Sequence, residues 1–298
     1  MKLAIPTRAP FSFAQTLTFV GWFAPCRDEC QLAPDSLTAA VLVGDRAIAF
    51  TLSGRGGQIE LACPDGVDAS EVARRASDLI GASDDLAAFY AAAATDPPMH
   101  AMVEHLYGLH HVRFLTLGEV AVYCVMMQRA PITMASAMKR RFLARFGIAV
   151  PHSPLRAWPA LASLAELDGA EIGEAIGNAR RGDQIASVVR GVAALDEATL
   201  RHAPYAEARA SLLAIPGIGP FSAAAILLRG LGRMDELPGM HHFEAPARAV
   251  YGAQFDPEAI AARYGRHLGY WAFYLKTGAA QSAAGSGRRR GPRAKIAA

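Results

Sequence analysis

Much of what would assign a chain quickly is missing from these 298 residues. There are only four cysteines, Cys26, Cys30, Cys63 and Cys124. Cys26 and Cys30 stand four apart and the other two are isolated. This spacing makes neither a two-pair zinc site nor a four-cysteine cluster near the C-terminus. The thiols read as buried or idle, and no metal is expected. No apolar run approaches the roughly 18–20 residues that a membrane span requires. The start, MKLAIPTRAPFSF, has no long apolar segment leading to a small-residue cleavage site, so it is not read as a secretory signal. The expectation is a soluble cytoplasmic protein that contacts no membrane.

Charge is also scarce and uneven. The formal net charge is +3, yet the terminal stretch SGRRRGPRAK holds Arg288, Arg289, Arg290, Arg293 and Lys295 with no acid. Without those five cations the remainder carries 25 basic and 27 acidic residues. The body therefore lacks a global nucleic-acid charge signature, and a polyanion would have to use local patches. The tail reads either as a sequence-independent phosphate contact or as a solvated, disordered end.

What is present is apolar: 52% of residues are hydrophobic, enough for a sizeable core in one large or two ordinary domains. LTAAVLVGDRAIAFTLS and QIELAC are strand-like runs punctuated by Gly-Asp and Gly-Gly turns, and DASEVARRASDLIG suits a helix. From Asp84 the pattern turns helical. DDLAAFYAAAATD begins on acids and ends before Pro97 and Pro98. LGEVAVYCVMMQRAPITMASAMKRRFLARFG reads as two helices interrupted near Pro131, the second closing on basic residues and Gly147. SPLRAWPALASLAELD, DGAEIGEAIGN, GDQIASVVRGVAALD and YAEARASLLAI fit further helices. No internal repeat is visible. The expected fold is α+β: an N-terminal antiparallel sheet domain over 1–83, an all-helical body over 84–278, and a basic disordered tail over 279–298.

The densest stretch is AIPGIGPFSAAAILLRGLGRMDELPGMHH, residues 214–242. Gly217 and Gly219 allow positive φ and close backbone approach, Ile218 can plug the space between two helices, and Pro220 suits a helix start. Such a turn leaves backbone N–H groups facing outward beside a helix N-terminus, a setting for a phosphate oxygen. A purely steric αα-hairpin is the other reading.

These residues closely resemble the helix–hairpin–helix DNA glycosylase superfamily, nearest its 3-methyladenine DNA glycosylase II branch. DDLAAFYAAAATDPPM and MMQRAPITMASAMKRRFLARFG are similar to family segments, SPLRAWPALASLAELD and YGRHLGYWAFYLK more loosely, so the resemblance covers nearly everything but the tail. It implies a fold with the sheet in front and a helical glycosylase body behind. It also implies a monomeric, cofactor-free enzyme of base-excision repair that flips an alkylated purine out of double-stranded DNA. By resemblance Gly217, Ile218, Gly219 and Pro220 form the phosphate-gripping hairpin. Gln128 is the family's glutamine beside the intercalating loop that begins with Arg129. Phe221 stands where bifunctional members carry a Schiff-base lysine, which implies monofunctional chemistry. Phe221, Tyr123, Trp271 and Tyr274 are candidate pocket aromatics, with ordinary core packing as the alternative.

The family's aspartate is missing. Counted without gaps from Pro220, its position falls on His241, and a one-residue slip gives Met240. Cleavage of the N-glycosidic bond builds positive charge on the sugar, which a carboxylate stabilises and a histidine cannot. Three outcomes are open. Already cationic N3- or N7-alkylpurines can leave with less help. Glu244, one helical turn beyond His241, can substitute, whereas Asp235 and Glu236 look solvent-facing. Or the scaffold keeps DNA binding and has lost the chemistry. A metal shared by His241 and His242 is disfavoured, because neighbours on a helix point apart. If the tail contacts phosphates, removal of the residues after Gly287 flattens the dependence of DNA affinity on salt by roughly 0.9 in log–log slope per lost contact. An unchanged slope assigns the tail to solvent.

Overall fold

The computed structural model describes residues 1–55, 57–237 and 239–288. Five antiparallel strands form one sheet in the order β1-β5-β4-β3-β2, with β1 Lys2–Ile5, β2 Gln31–Ala33, β3 Ser36–Val43, β4 Arg46–Arg55 and β5 Gln58–Ala62. The β3–β4 hairpin turns through Gly44 at φ 57°, a left-handed position that favours glycine. That turn sets the register, and Leu37 faces Leu52, Ala39 faces Phe50 and Val41 faces Ile48. These three pairs are buried on one face of the sheet. The helix Ala69–Leu79 closes against the main core with Val72, Ala76 and Leu79, and Asp68 caps it by accepting from the Ser70 and Glu71 N–H groups. The opposite face of the sheet is partly covered by a short ribbon of β6 Ile148–Ala149 and β7 Arg156–Ala157, packed on Ala40 and Ala47.

The remainder is helical, including Leu117–Met127, Ile132–Phe146, Ala179–Ala193, Tyr205–Leu213 and Leu268–Arg288. Three features differ from the sequence reading. A ten-residue helix, Phe13–Trp22, lies between β1 and β2, capped by Ser12. Only Leu161–Ala165 of the segment expected to be helical around Trp158 is α-helix, and Arg156–Ala157 joins the ribbon. Pro154 and Pro159 flank that ribbon strand, lack N–H donors and hold their preceding residues extended. The last helix also runs past residue 278 to Arg288, where alanines continue a good helix-forming sequence and Gln281 hydrogen bonds to His105 at 2.8 Å. Arg289, Arg290, Arg293 and Lys295 lie outside the described residues.

Sheet and body share one hydrophobic core that runs without interruption from Leu37 and Phe50 through Val120 and Phe142 to Trp271. At their junction sits Lys139, 2% exposed. Its Nζ reaches Glu119 at 2.7 Å, Glu29 at 2.7 Å and the Pro25 carbonyl at 2.6 Å. Glu119 belongs to a capping box: its own N–H donates to Thr116 Oγ1, and its Oε2 accepts from the Leu115 N–H. Burial raises the Glu119 carboxyl to about 7 against the pull of Lys139. Lys139→Met strands the buried Glu119 carboxylate and the half-buried Glu29 and is expected to cost about 3–5 kcal/mol. Arg140→Met, which removes an exposed pair with Asp28, should cost less than about 1 kcal/mol. Denaturant midpoints at unchanged slope check the contrast, and similar losses for both would contradict it.

Candidate nucleic-acid interface and base cleft

The hairpin is built as its residues require. Ile215 and Ile218 are buried, and the Ile218 N–H closes the turn on the Ile215 carbonyl at 3.0 Å. Ile218 is the expected plug, so only its backbone faces out. Gly217 has φ 95°, and a Cβ there would lie 3.1 Å from Val188. Gly219 is different from expectation: it is extended at φ −94°, ψ 178°, and a Cβ on it would meet nothing. Neither conformation nor protein packing demands glycine at 219. What its bareness provides is room for something outside the chain to approach the backbone. Among the described residues the Gly217 and Gly219 N–H groups donate to no protein acceptor.

Gln128 joins this turn directly, its Nε2 donating to the Gly217 carbonyl at 2.8 Å. The end of the helix Leu117–Met127 is held by Arg181, whose guanidinium donates to the carbonyls of Val125, Met126 and Gln128 at 2.6–2.9 Å. The chain then reverses through exposed Arg129 at φ 50°, a left-handed conformation uncommon outside glycine. Gln128 thus lies against the hairpin turn, with exposed Arg129 next to it in the chain.

Beside the hairpin opens a cleft of about 420 Å³. Its aromatic walls come from distant parts of the chain: Phe19, Trp22 and Phe23 near the N-terminus, Phe114 and Tyr123 from the centre, and Phe221, Phe243 and Phe273 beyond the hairpin. Trp22 (38% exposed), Ile132 (45%) and Phe221 (44%) are large apolar side chains left open to solvent, and all three line this cleft. Apolar surface grouped in this way marks a binding face. The three N-terminal rings escaped the sequence reading, although Ser12 followed by Phe13, Thr16, Phe19 and Val20 at helical spacing was a usable signal.

The cleft's polar groups are unusual for their sign. Two cations, Arg229 and Lys276, line it, and no aspartate or glutamate does. The helix Pro220–Ala225 passes into a π-helical turn, Ile226–Gly230, which carries Arg229. The Arg229 guanidinium lies 4.8 Å from the Phe23 ring centre and 5.7 Å from that of Phe273. Its Nη1 is buried with no hydrogen-bond partner. Burial pushes Arg229 down to about 10, so it is still charged at neutral pH. The Lys276 ammonium sits 4.3 Å over Phe243. Burial, and then the charge of Arg229, lower its pKa.

The histidines do not point apart as expected of helix neighbours. Met240–Phe243 is a single 3₁₀ turn entered through Gly239 at φ 154°, and the His241 and His242 ring centres are 3.9 Å apart. His242 also meets the exposed Phe221 ring edge-on at 5.0 Å. Burial, His241 and Lys276 together lower the His242 pKa, so its imidazole is neutral at neutral pH. Glu244 is exposed, pairs with Arg248 at 2.9 Å and does not line the cleft. Asp235 pairs with Arg233 at 3.3 Å. Of the four candidate aromatics, Tyr123 and Phe221 line the cleft and two do not. Trp271 is fully buried and donates to the Tyr251 hydroxyl, and Tyr274 is fully buried against Tyr90 and the carbonyls of Leu106 and Leu109. Both are core side chains whose polar tips are satisfied inside the body. Among the described residues no group of three or more His, Cys, Asp or Glu is placed to hold a metal, and no helix is long and apolar enough to cross a membrane.

No family model matches the chain. It is 28% identical over 242 residues to a Mycobacterium tuberculosis protein described as a probable bifunctional transcriptional activator/DNA repair enzyme AlkA, covering 80% of this chain and 48% of that protein. It is 26% identical over 151 residues to the DNA-3-methyladenine glycosylase of Bacillus subtilis, covering 49% of this chain and 50% of the relative. The chain spans about half the length of the curated relatives it matches. Among solved structures, the 3-methyladenine DNA glycosylase from Archaeoglobus fulgidus superposes with a TM-score of 0.74 at 17% identity, over 92% of this chain and 96% of that one. MBOgg1 in complex with a low-affinity DNA ligand gives 0.73 at 18%, over 95% and 96%. The α+β fold and the glycosylase resemblance read from the sequence both hold.

The two hairpin glycines should respond oppositely to substitution. Gly217→Ala forces a side chain into left-handed backbone and is expected to lose about 1–2 kcal/mol. Gly219→Asp introduces a favoured N-cap residue into open space and should leave stability unchanged or slightly higher. Thermal or denaturant unfolding decides; a destabilised Gly219→Asp would show that position 219 is glycine for the fold.

Proposed function

We propose that this chain, folded as a helix–hairpin–helix glycosylase, binds double-stranded DNA carrying a damaged base, draws that base into the aromatic cleft and releases it by hydrolysis, as in base-excision repair. One observation carries the reading: Phe221 both follows the hairpin's Pro220 and forms part of the cleft mouth. A phosphate held by the free amides of Gly217 and Gly219 therefore brings its nucleotide to the cleft. The aromatic walls supply stacking for a flipped base. Ile132 and Arg129, exposed beyond Gln128, are positioned to enter the gap left in the duplex.

The residues also bound the chemistry. Phe221 has no amine, so a Schiff-base lyase step has no nucleophile at that position. Alkylated purine is the lesion class that the relatives' names suggest. Water attack needs a proton acceptor, and the imidazole of His242, edge-on to Phe221, is the nearest fit. His241 stands where the family carries its aspartate, and Glu244 becomes available only by leaving Arg248. The acid-free cleft favours a second reading, in which lesions are captured on the same scaffold without cleavage.

Release of free base from a methylated duplex at micromolar protein, measured beside binding of a duplex with an abasic-site analogue, separates these readings. The enzyme reading expects release. Binding without release leaves capture alone. Gly219→Asp should weaken binding of the abasic analogue at least about tenfold, since an anion then faces the phosphate. No binding by the wild-type chain, or an indifferent Gly219→Asp, would remove the DNA reading itself.

A further inference from the structure

We infer that Gln128 acts on DNA through the hairpin: it is a positioning residue that locks the peptide between Gly217 and Ile218 and thereby aims the free glycine amides on either side of it. This rests on the phosphate-gripping role proposed above for the hairpin and assigns the side chain that holds the grip in shape.

That peptide is fixed at both of its polar ends. Its carbonyl accepts from Gln128 Nε2 at 2.8 Å, and its N–H donates to the Ile215 carbonyl at 3.0 Å. The peptides before and after it carry the N–H groups of Gly217 and Gly219, and among the described residues neither donates to the protein. Gly217 is at φ 95°, a region of backbone that glycine enters and leaves at little cost. A peptide plane beside such a residue rotates unless both its ends are held. Rotation changes ψ at Gly217 and φ at Ile218, and so alters the angle between the two flanking N–H groups.

Gln128 can serve as a strut because it is itself held. Its N–H donates to the Val125 carbonyl at 3.2 Å, and its carbonyl accepts from Arg181 at 2.9 Å. Arg181 lies on the helix Ala179–Ala193, and the same helix supports the hairpin. A Cβ on Gly191 would lie 2.5 Å from Ile215, and one on Gly217 would lie 3.1 Å from Val188. Turn and strut thus stand on one helix, and the Gln128 bond closes the triangle between them. The side-chain type fits this task. A neutral amide donates to a carbonyl without adding charge beside a phosphate, whereas a glutamate would set an acceptor against an acceptor. The bond is exposed and contributes little to folding. Its value lies in preorganisation, since the turn is ordered before DNA arrives.

The test uses the full chain, the Gln128→Met variant, and two duplexes of one sequence, undamaged and with an abasic-site analogue. Melting curves confirm that the variant folds. Without DNA, hydrogen exchange at the Ile218 amide, read by NMR, should quicken several-fold in Gln128→Met while amides of the sheet keep their wild-type rates. Fluorescence anisotropy should show both duplexes bound about fivefold more weakly by the variant, with the ratio of the two affinities unchanged, because one hairpin grips both. A residue that only touches the gap in the duplex gives the opposite pattern: the abasic analogue weakened, the undamaged duplex unaffected and Ile218 exchange unaltered. That pattern, unchanged affinity for both duplexes, or unaltered Ile218 exchange overturns the inference. Failure of the wild-type chain to bind either duplex overturns the DNA reading instead, and this inference falls with it.

Discussion

The buried ammonium of Lys139 holds the sheet to the helices. It arises on the helix Ile132–Phe146 and reaches Glu119 on the helix Leu117–Met127, with Glu29 and Pro25 contributed by the N-terminal part. Glu29 in turn accepts from the Trp158 indole at 2.8 Å. A buried charge cluster is a poor source of net stability compared with apolar packing, but losing one member is severe. Its value here is positional. The same ammonium lies 4.9 Å from the Phe114 ring and 5.6 Å from that of Tyr123, two walls of the cleft. The interaction that joins the two parts of the chain therefore also sets the back of the site.

That arrangement separates the chain's negative charge from its cleft. Glu119 and Glu29 are consumed by Lys139, Glu244 by Arg248 and Asp235 by Arg233. Among the described residues Arg229 and Lys276 have no counterion, and they are the charges that line the cleft. The π-helical turn at Ile226–Gly230 anchors this geometry, because the Arg229 carbonyl also receives the Phe114 N–H at 2.9 Å. One segment thus fixes a cation and a wall ring together.

The hairpin, the helices and the sheet were legible in the sequence for local reasons. Gly217 and Pro220 punctuate the hairpin, and Gly44 the β3–β4 turn. Asp68, Thr116 and Asp168 are N-caps whose partners lie within three residues. The cleft was not legible, because its walls come from near residues 20, 120, 225 and 275, and only packing brings them together. Aromatic residue type was a weak guide. Tyr123 and Phe221 face the cleft while Trp271 and Tyr274 are core, yet all four sit in apolar helical sequence. Helical geometry misjudged the orientation of His241 and His242, since Gly239 starts a tighter turn in which the rings meet.

The missing aspartate and the cleft cations bear on the same bond. A glycosidic bond is weakened either by stabilising positive charge on the sugar or by stabilising the base as it departs with the bonding electrons. An aspartate serves the first route, and its absence matters least for a base that already carries a positive charge. The second route needs donors or positive charge aimed at the leaving base, and Arg229 and Lys276 supply both. Electrostatic help from the base side is what the cations of the cleft wall can supply.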